Sequence, residues 1–295
     1  MPKKRCTFCA LDAILLCALA TALGLFLWRV HLRFDYAWNW AAVPQFLLRH
    51  DPETGWMPNV LLRGLFTTIR LSIWSTALAL LVGILAGLAG ASHSLFLRLL
   101  ARTYVETMRN LPPLVLVFIF YFFIYALLAP LTGLEAALRN ASQWPPWLVT
   151  LLTFLCDEPA RLPGFISGVI TLAVYEGAYI AEIVRGGIAS VDRGQWEAAS
   201  SLGLGRFSQL RLVILPQALK VIIPPLAGQF ISTIKDSAIV SVISIPELTF
   251  QGLELMAATN LTFEVWITIT CLYLALTLGC AVLARRLERR LRWRF

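Results

Sequence analysis

Charge is the first thing this sequence is short of. Only 14% of its 295 residues are charged against 58% apolar, and mean hydropathy is +0.73. A water-soluble domain carries roughly a quarter charged residues, so that class is excluded. Lysine is scarcer still, limited to Lys3, Lys4, Lys220 and Lys235. None follows a Gly or precedes a Ser or Thr, so the phosphate cradle G-x-x-x-x-G-K-[ST] is absent and this chain has no motif for hydrolysing ATP. The histidines His31, His50 and His93 are scattered, which argues against a clustered metal centre, and no Ser/His/Asp set can be assembled. Cys6 and Cys9 form a C-x-x-C pair with no second pair or His to complete a zinc site. Cys17, Cys271 and Cys280 sit in apolar runs, where cysteine behaves as a small hydrophobe, and Cys156 lacks a disulfide partner. There is no low-complexity tract and no clear internal repeat.

What is present is long apolar runs. About 20 apolar residues in a helix cross the hydrocarbon core. Leu11–Trp28, Leu71–Ser92, Leu111–Leu131, Leu162–Ala181 and Val265–Ala284 meet that length, and Val221–Ile245 meets it while carrying Lys235 and Asp236. Trp144–Cys156, interrupted by Pro145 and Pro146, is too short and reads as an interfacial or re-entrant piece on the outer side. Lys3, Lys4 and Arg5 before an apolar run also resemble a secretory signal, with Ala20-Thr21-Ala22 as its cleavage site. The run continues to Trp28, so a retained anchor is expected.

Basic residues set the orientation. With the N-terminus inside, residues 1–10, 93–110, 185–220 and 285–295 are cytoplasmic and hold 17 of the 25 Lys and Arg, while 246–264 on the outer side holds none. Both termini are then cytoplasmic. The net charge of +8 and the Arg-rich end from Arg285 to Arg294 follow a span directly, so they read as a membrane anchor rather than a nucleic-acid tail. Residues 29–63, with Asp35, Trp38, Trp40 and Asp51-Pro-Glu-Thr-Gly55, form a polar, Trp-rich outer connection suited to the water–lipid boundary.

The loop at 185–218 carries the most information. Glu197-Ala198-Ala199 is followed by Gly203 and then by Val213-Ile214-Leu215-Pro216. This spacing predicts a short helix, a glycine break and a second short helix that ends before Pro216. Two such helices make a platform able to pass a rigid-body push to the spans above it. The same string resembles the EAA motif of ABC-importer permeases, E-A-A-x3-G-x9-I-x-L-P, with Val213 at the usual Ile position. Its flanks, Ala178-Tyr179-Ile180-Ala181-Glu182, Arg185-Gly186-Gly187, Arg193-Gly194-Gln195-Trp196 and Gln217-Ala218, are similar to the polar amino acid permease branch. So are Thr67-Thr68, Tyr104-Val105-Glu106 and Arg109-Asn110-Leu111-Pro112-Pro113-Leu114.

The resemblance covers about 64–290. It implies an all-α integral membrane fold, the type I ABC-importer transmembrane domain with a five-helix core, here preceded by one extra N-terminal transmembrane helix (residues 1–30) and a periplasmic connection (31–63). It implies that Gln195, Trp196, Glu197, Ala198, Ala199, Gly203, Leu215 and Pro216 belong to a coupling helix seated on an ATPase subunit. It also implies the partners: an ATPase dimer that uses ATP and Mg, a sister permease or a second copy of this chain, a periplasmic amino-acid-binding protein, and lipid. The expected location is a bacterial inner membrane. Read without the family, Glu197 is a solvated carboxylate and Trp196 serves equally well as a boundary residue. One departure stands out: Gly228 precedes Gln229-Phe230 where the family often has Asn.

Ionisable groups at membrane depth face a cavity or a partner. Lys235, Asp236, Gln229, Ser232, Thr233, Ser237 and Glu176 are therefore the candidates for a substrate path, with Pro224-Pro225 expected to break the helix. Lys235 either meets a substrate carboxylate or merely pairs with Asp236. The rival class is a stand-alone, ion-coupled secondary transporter or channel, which explains the spans but not the platform loop.

Overall fold

The computed structural model describes residues 10–33, 36–53, 55–125, 127, 130, 138, 141 and 144–292. Lys3, Lys4, Arg5, Cys6, Cys9, Asp35, Thr54, the end of the third expected span at Leu131, and Arg294 lie outside them. The chain divides into two compact units, 1–40 and 41–295. The first contains helix α1, Ala10–Arg33, which extends the expected anchor at its C-terminal end. The stacked rings of Trp38 and Trp40, 5.9 Å apart, lie beyond it.

The second unit opens with α2 (Val43–Leu47) and a hairpin of β1 (Leu48–Asp51) and β2 (Gly55–Pro58), which pairs Leu48 with Pro58. Helices α3 (Val60–Gly90), α4 (Leu95–Asn110) and α5 (Pro113–Ile119) follow, α5 continuing as a π-helical stretch to Tyr125. Then come α6 (Pro146–Leu155), α7 (Leu162–Ala189), α8 (Arg193–Ser201) and α9 (Arg206–Gln209). A π-helical segment Leu210–Ile214 joins α9 to α10 (Leu215–Asp236), and α11 (Leu248–Thr259) and α12 (Thr262–Arg292) complete the chain. Among the described residues four helical stretches, 60–90, 162–189, 206–243 and 262–286, are long and apolar enough to span; α4 with α5, bent by 109°, makes a fifth as one broken span.

Helix α3 starts at Val60 rather than Leu71 because its polar first turns satisfy themselves. Arg63 Nε donates to Pro58 O at 3.0 Å, Thr67 Oγ1 to Arg63 O at 3.2 Å, and Arg70 reaches Phe66 O and Thr153 O. Through Arg70, and through Trp74 Nε1 on Leu155 O at 2.9 Å, α3 holds the short helix α6 against its side. At the same end Glu247 is fully buried. Its carboxylate accepts from the backbone N–H of Thr249 and Phe250 and from the hydroxyls of Thr68 and Tyr273, so one side chain caps α11 and joins it to α3 and α12.

The frame of the molecule is the crossing of α3 and α7. One face of α3 buries Gly64, Thr68, Ser72, Ala79, Gly83 and Gly87, and α7 presents Gly177, Ile180, Ala181 and Val184. Small residues at such spacing let two backbones approach closely, the usual way helices associate in lipid. A Cβ on Gly83 would lie 2.5 Å from Ile180 Cγ2 and 2.8 Å from Gly177 O; one on Gly87 would lie 2.6 Å from Val184 Cβ. Gly83→Leu is therefore expected to lower the stability of the detergent-purified protein by about 1–3 kcal/mol or more. Gly164→Leu, where nothing lies within 4 Å, should leave the thermal midpoint in place. Equal midpoints for the two variants would rule out a close crossing.

Candidate functional site

The loop residues fold into a bracket. Asp192 caps α8 by accepting from Gly194 N at 2.7 Å. The helix ends at Gly203, whose φ of +72° admits glycine with least strain. Gly203 N bonds Ser200 O at 3.0 Å and Leu204 N bonds Ala199 O at 3.3 Å, the paired closure of a Schellman cap. The expected break is thus at the expected glycine.

The second half differs from expectation. No helix stops before Pro216; the chain is helical from Arg206 through Ile243. The π-helical turn at 210–214 places Leu215 N on Leu210 O, so Pro216 enters near the start of α10, where a missing N–H does little harm. Gln217 Nε2 donates to Val213 O at 2.9 Å and to Gln195 Oε1 at 3.0 Å, closing the bracket across its open side. Gln209, nearly buried, does the same within the turn by donating to Leu204 O at 2.6 Å and Ser200 Oγ at 3.1 Å.

Trp196 is half-buried and packs on the cluster formed by Ile180, Val184, Ile188, Ile214, Ala218 and Ile222. That cluster is built from residues of α3, α7 and α10, so the ring is held at the base of the spans rather than free on the surface. Ala199 is buried; Glu197 and Ala198 are exposed, and Glu197 makes only a loose contact with Arg193 at 3.8 Å between two solvated side chains. Leu202 and Phe207 project from the bracket, 79% and 74% exposed. Two large apolar groups beside a glycine turn form a knob, and the sequence pattern had not marked them. Beneath the bracket a cleft of about 1090 Å³ opens between Trp196, Arg206 and Phe207 on one side and the turn Ala91–Ser94 on the other.

Farther along the spans a second cluster forms. Glu176 of α7 is completely buried, Gln229 of α10 donates its amide to Glu176 Oε2, and Oε1 receives no donor. The Asp236 carboxyl lies against the same group. Two carboxyl groups that close, inside a span, need a proton or a cation between them. The Tyr175 and Tyr179 hydroxyls, 3.0 Å apart, continue the polar line, and Arg109 stacks over Tyr179 at 5.2 Å. Glu182 and Arg185 pair one turn farther on.

Gln229, Asp236 and Glu176 are thus brought together. Lys235 is not: it is exposed and forms no ion pair with Asp236, because successive helix residues point about 100° apart. Thr233 and Ser237 are buried but bond their own helix carbonyls, at 3.0 and 2.8 Å to Gln229 O and Ile234 O. Ser232 is half-buried with no side-chain bond. Pro224-Pro225 does not interrupt α10; the change comes after Asp236, where the helix tightens to 3₁₀ over Ser237–Ile243 and ends at Ser244 with φ 58°. Asp157, which lines a cavity together with Ile243 and Ser244, is nearly buried, and burial pushes its carboxyl above the ordinary carboxylate range against the pull of Glu158 N, Arg161 and Arg70.

Residues 79–293 match the family described as binding-protein-dependent transport system inner membrane component. The glutamine transport system permease protein GlnP of Escherichia coli K12 is 32% identical over 261 residues, 88% of this chain and 99% of that one. The probable glutamine ABC transporter permease protein GlnM of Bacillus subtilis is 32% identical over 228 residues, covering 77% and 91%. Among solved structures, an amino acid ABC transporter crystallised with histidines superposes with a TM-score of 0.61 at 34% identity, covering 78% of this chain and 94% of that one. The methionine ABC transporter MetNI in an inward-facing form superposes at 0.59 with 17% identity, covering 78% and 95%, a likeness of fold alone. The architecture is that of the type I ABC-importer transmembrane domain.

Gln209→Ala removes the clamp inside the bracket and orphans the Leu204 carbonyl, a loss of about 1–2 kcal/mol confined to this turn. Hydrogen exchange of amides 202–210 should quicken roughly tenfold, with the α3–α7 amides unchanged. Unchanged exchange at 202–210 would mean the clamp does not hold the turn.

Proposed function

The chain belongs to the family of binding-protein-dependent transport system inner membrane components, and from that premise we propose that it forms the transmembrane passage of an ATP-driven amino-acid importer. The observation that carries the reading is the bracket. A Schellman-capped turn with a projecting apolar knob, anchored by Trp196 on the helices that flank it, suits reception of force from outside the chain. In this reading Gln195, Trp196, Glu197, Ala198, Ala199, Gly203, Leu215 and Pro216, with Leu202 and Phe207, meet an ATPase dimer on the cytoplasmic side. That dimer uses ATP and Mg, and its closure moves α7 and α10 so that the passage opens alternately to either face. A second copy of this chain or a sister permease completes the passage, and a periplasmic binding protein delivers the solute. Both termini are cytoplasmic.

The solute is a polar amino acid, as the names of the relatives imply for those proteins. The chemistry fits a zwitterion: Lys235, exposed on α10, attracts a carboxylate, and the neighbouring acids Asp236 and Glu176, the latter held by Gln229, attract an ammonium group. Ser232 lies on the same turn of α10, whereas Thr233 and Ser237 serve the helix backbone. The rival, a stand-alone ion-coupled transporter, needs no such bracket.

Purification separates the two. When the chain is co-expressed with an ATPase subunit, Gly203→Val with Glu197→Ala should reduce the recovered ATPase at least tenfold while the chain still inserts. Solute movement by the reconstituted chain alone, without ATP, would establish the rival. For the solute site, Lys235→Met and Asp236→Asn should each lower ATP-driven uptake roughly tenfold or more, about 1.4 kcal/mol, with the ATPase still bound. Normal uptake by both variants would remove the passage from this part of α10.

A further inference from the structure

Helix α4 and the pocket beside it are absorbed neither by the bracket nor by the solute cluster. The helix meets α5 at a bend of 109°, so the two lie nearly at right angles. It has three faces. Ala101 and Val105 are buried against the frame, and Tyr104 donates its hydroxyl to Val174 O of α7 at 2.6 Å. Leu95, Phe96, Leu99 and Leu100 are exposed by 52–73% and form an apolar strip. Between strip and frame run Arg98, Arg102, Glu106 and Arg109, each about one turn from the next.

These four side chains, with Glu182 and Arg185 of α7, line a cavity of about 370 Å³ floored by the ends of α3 and α7. That volume lies in the range of small-molecule sites. Within the cavity Arg185 is paired with Glu182, Arg109 stacks on Tyr179, and Glu106 accepts from the Asn110 amide at 3.2 Å. Arg98 and Arg102 have no side-chain partner among the described residues. Two arginines four residues apart on a helix repel each other, and a shared anion reverses the sign of that interaction. A cationic cleft, bordered by an exposed apolar strip on a helix set nearly at right angles to α5, matches a molecule that is anionic at one end and aliphatic at the other.

We propose that this pocket holds the phosphate headgroup of an anionic phospholipid from the inner leaflet, its acyl chains lying along Phe96, Leu99 and Leu100. The inference rests on the inward placement of the bracket, because α4 and the bracket sit at the same end of α3 and α7. A lipid there ties the α4 elbow to the end of α7, the same helix that carries the bracket and Glu176.

The test uses the purified whole complex and native mass spectrometry after exchange into detergent containing phosphatidylglycerol or phosphatidylcholine. The wild type should retain phosphatidylglycerol at least tenfold over phosphatidylcholine. Arg98→Gln with Arg102→Gln should abolish that preference, whereas Arg98→Lys with Arg102→Lys and the exposed control Arg211→Gln should keep it. Equal retention by wild type and the Gln pair overturns the proposal. So does displacement of the lipid by millimolar inorganic phosphate, which makes the pocket a site for the free ion. Loss of the ATPase subunit from the Gln pair with lipid retained also overturns it, since the arginines then serve protein docking. Ser94→Cys labelled by a thiol reagent only from the outside would sink the inward placement itself, whatever the lipid result.

Discussion

The close approach of α3 and α7 is the constraint on which the other features depend. Lipid gives apolar side chains little reason to leave it for one another, so helices in a bilayer associate through packing contact and hydrogen bonds. Gly83 and Gly87 bring α3 within contact of the α7 backbone carbonyls, and the groove so formed is filled by Ile180 and Val184. The cluster that receives Trp196 is the continuation of that contact at one end, and the cluster around Leu71, Leu172 and Val240 is its continuation toward the other. With the crossing widened by one methylene layer, neither the bracket nor the buried Glu176 would keep its neighbours. The pair is the frame against which α10 packs, at Gly187 and Ile222.

Legibility in the sequence followed the locality of the signal. Gly203 was readable because a helix stop of this kind depends on one residue and its own φ, and the capped turn sits where the spacing put it. Four of the six expected spans were readable because length and apolarity alone mark them; the third is met only as the bent pair of α4 and α5, and the N-terminal run gives a shorter apolar helix, Asp12–Ala22, among the described residues. Pro216 misled because its effect depends on what precedes it: a π-helical turn shifts the hydrogen-bond register so that the proline falls where no N–H is required. Pro224 and Pro225 misled for a related reason, since a helix supported by α7 and α12 tolerates bonds that prolines cannot donate. The second expected span, Leu71–Ser92, was drawn short at its start because Arg63 and Arg70 count against a hydropathy window, although each finds a carbonyl within its own helix or in a neighbour.

Long-range pairings were not legible at all. Gln229 and Glu176 are separated by 53 positions, and nothing in either segment says they meet. Lys235 and Asp236 looked like a pair because they are adjacent in sequence, yet adjacency on a helix separates side chains, and it is spacing of three, four or seven that unites them. Gln229, Thr233 and Asp236 share the face toward α7 by that rule, which a periodicity reading applied to polar rather than apolar residues would have drawn out. Leu202 and Phe207 escaped because an exposed apolar residue is legible only once exposure is known.

The two parts of the candidate site are joined by one piece of secondary structure. Helix α10 runs for 22 residues, roughly 33 Å at 1.5 Å per residue, from Leu215 beside the bracket to Asp236 beside Glu176. A displacement applied at Gln195–Gln217 therefore travels along a rod rather than through loops. The carboxyl cluster has one wall on that rod and the other on α7, which belongs to the frame. Sliding or tilting α10 by a fraction of a turn parts Gln229 from Glu176 and leaves a fully buried carboxyl without its amide donor, an arrangement stable only if a proton or a cation arrives to replace it. Under the proposed function, force on the bracket and affinity at the cluster would be linked by this geometry, and the linkage would run in both directions: a cation seated between Glu176 and Asp236 would hold α10 against α7 and resist the push on the bracket.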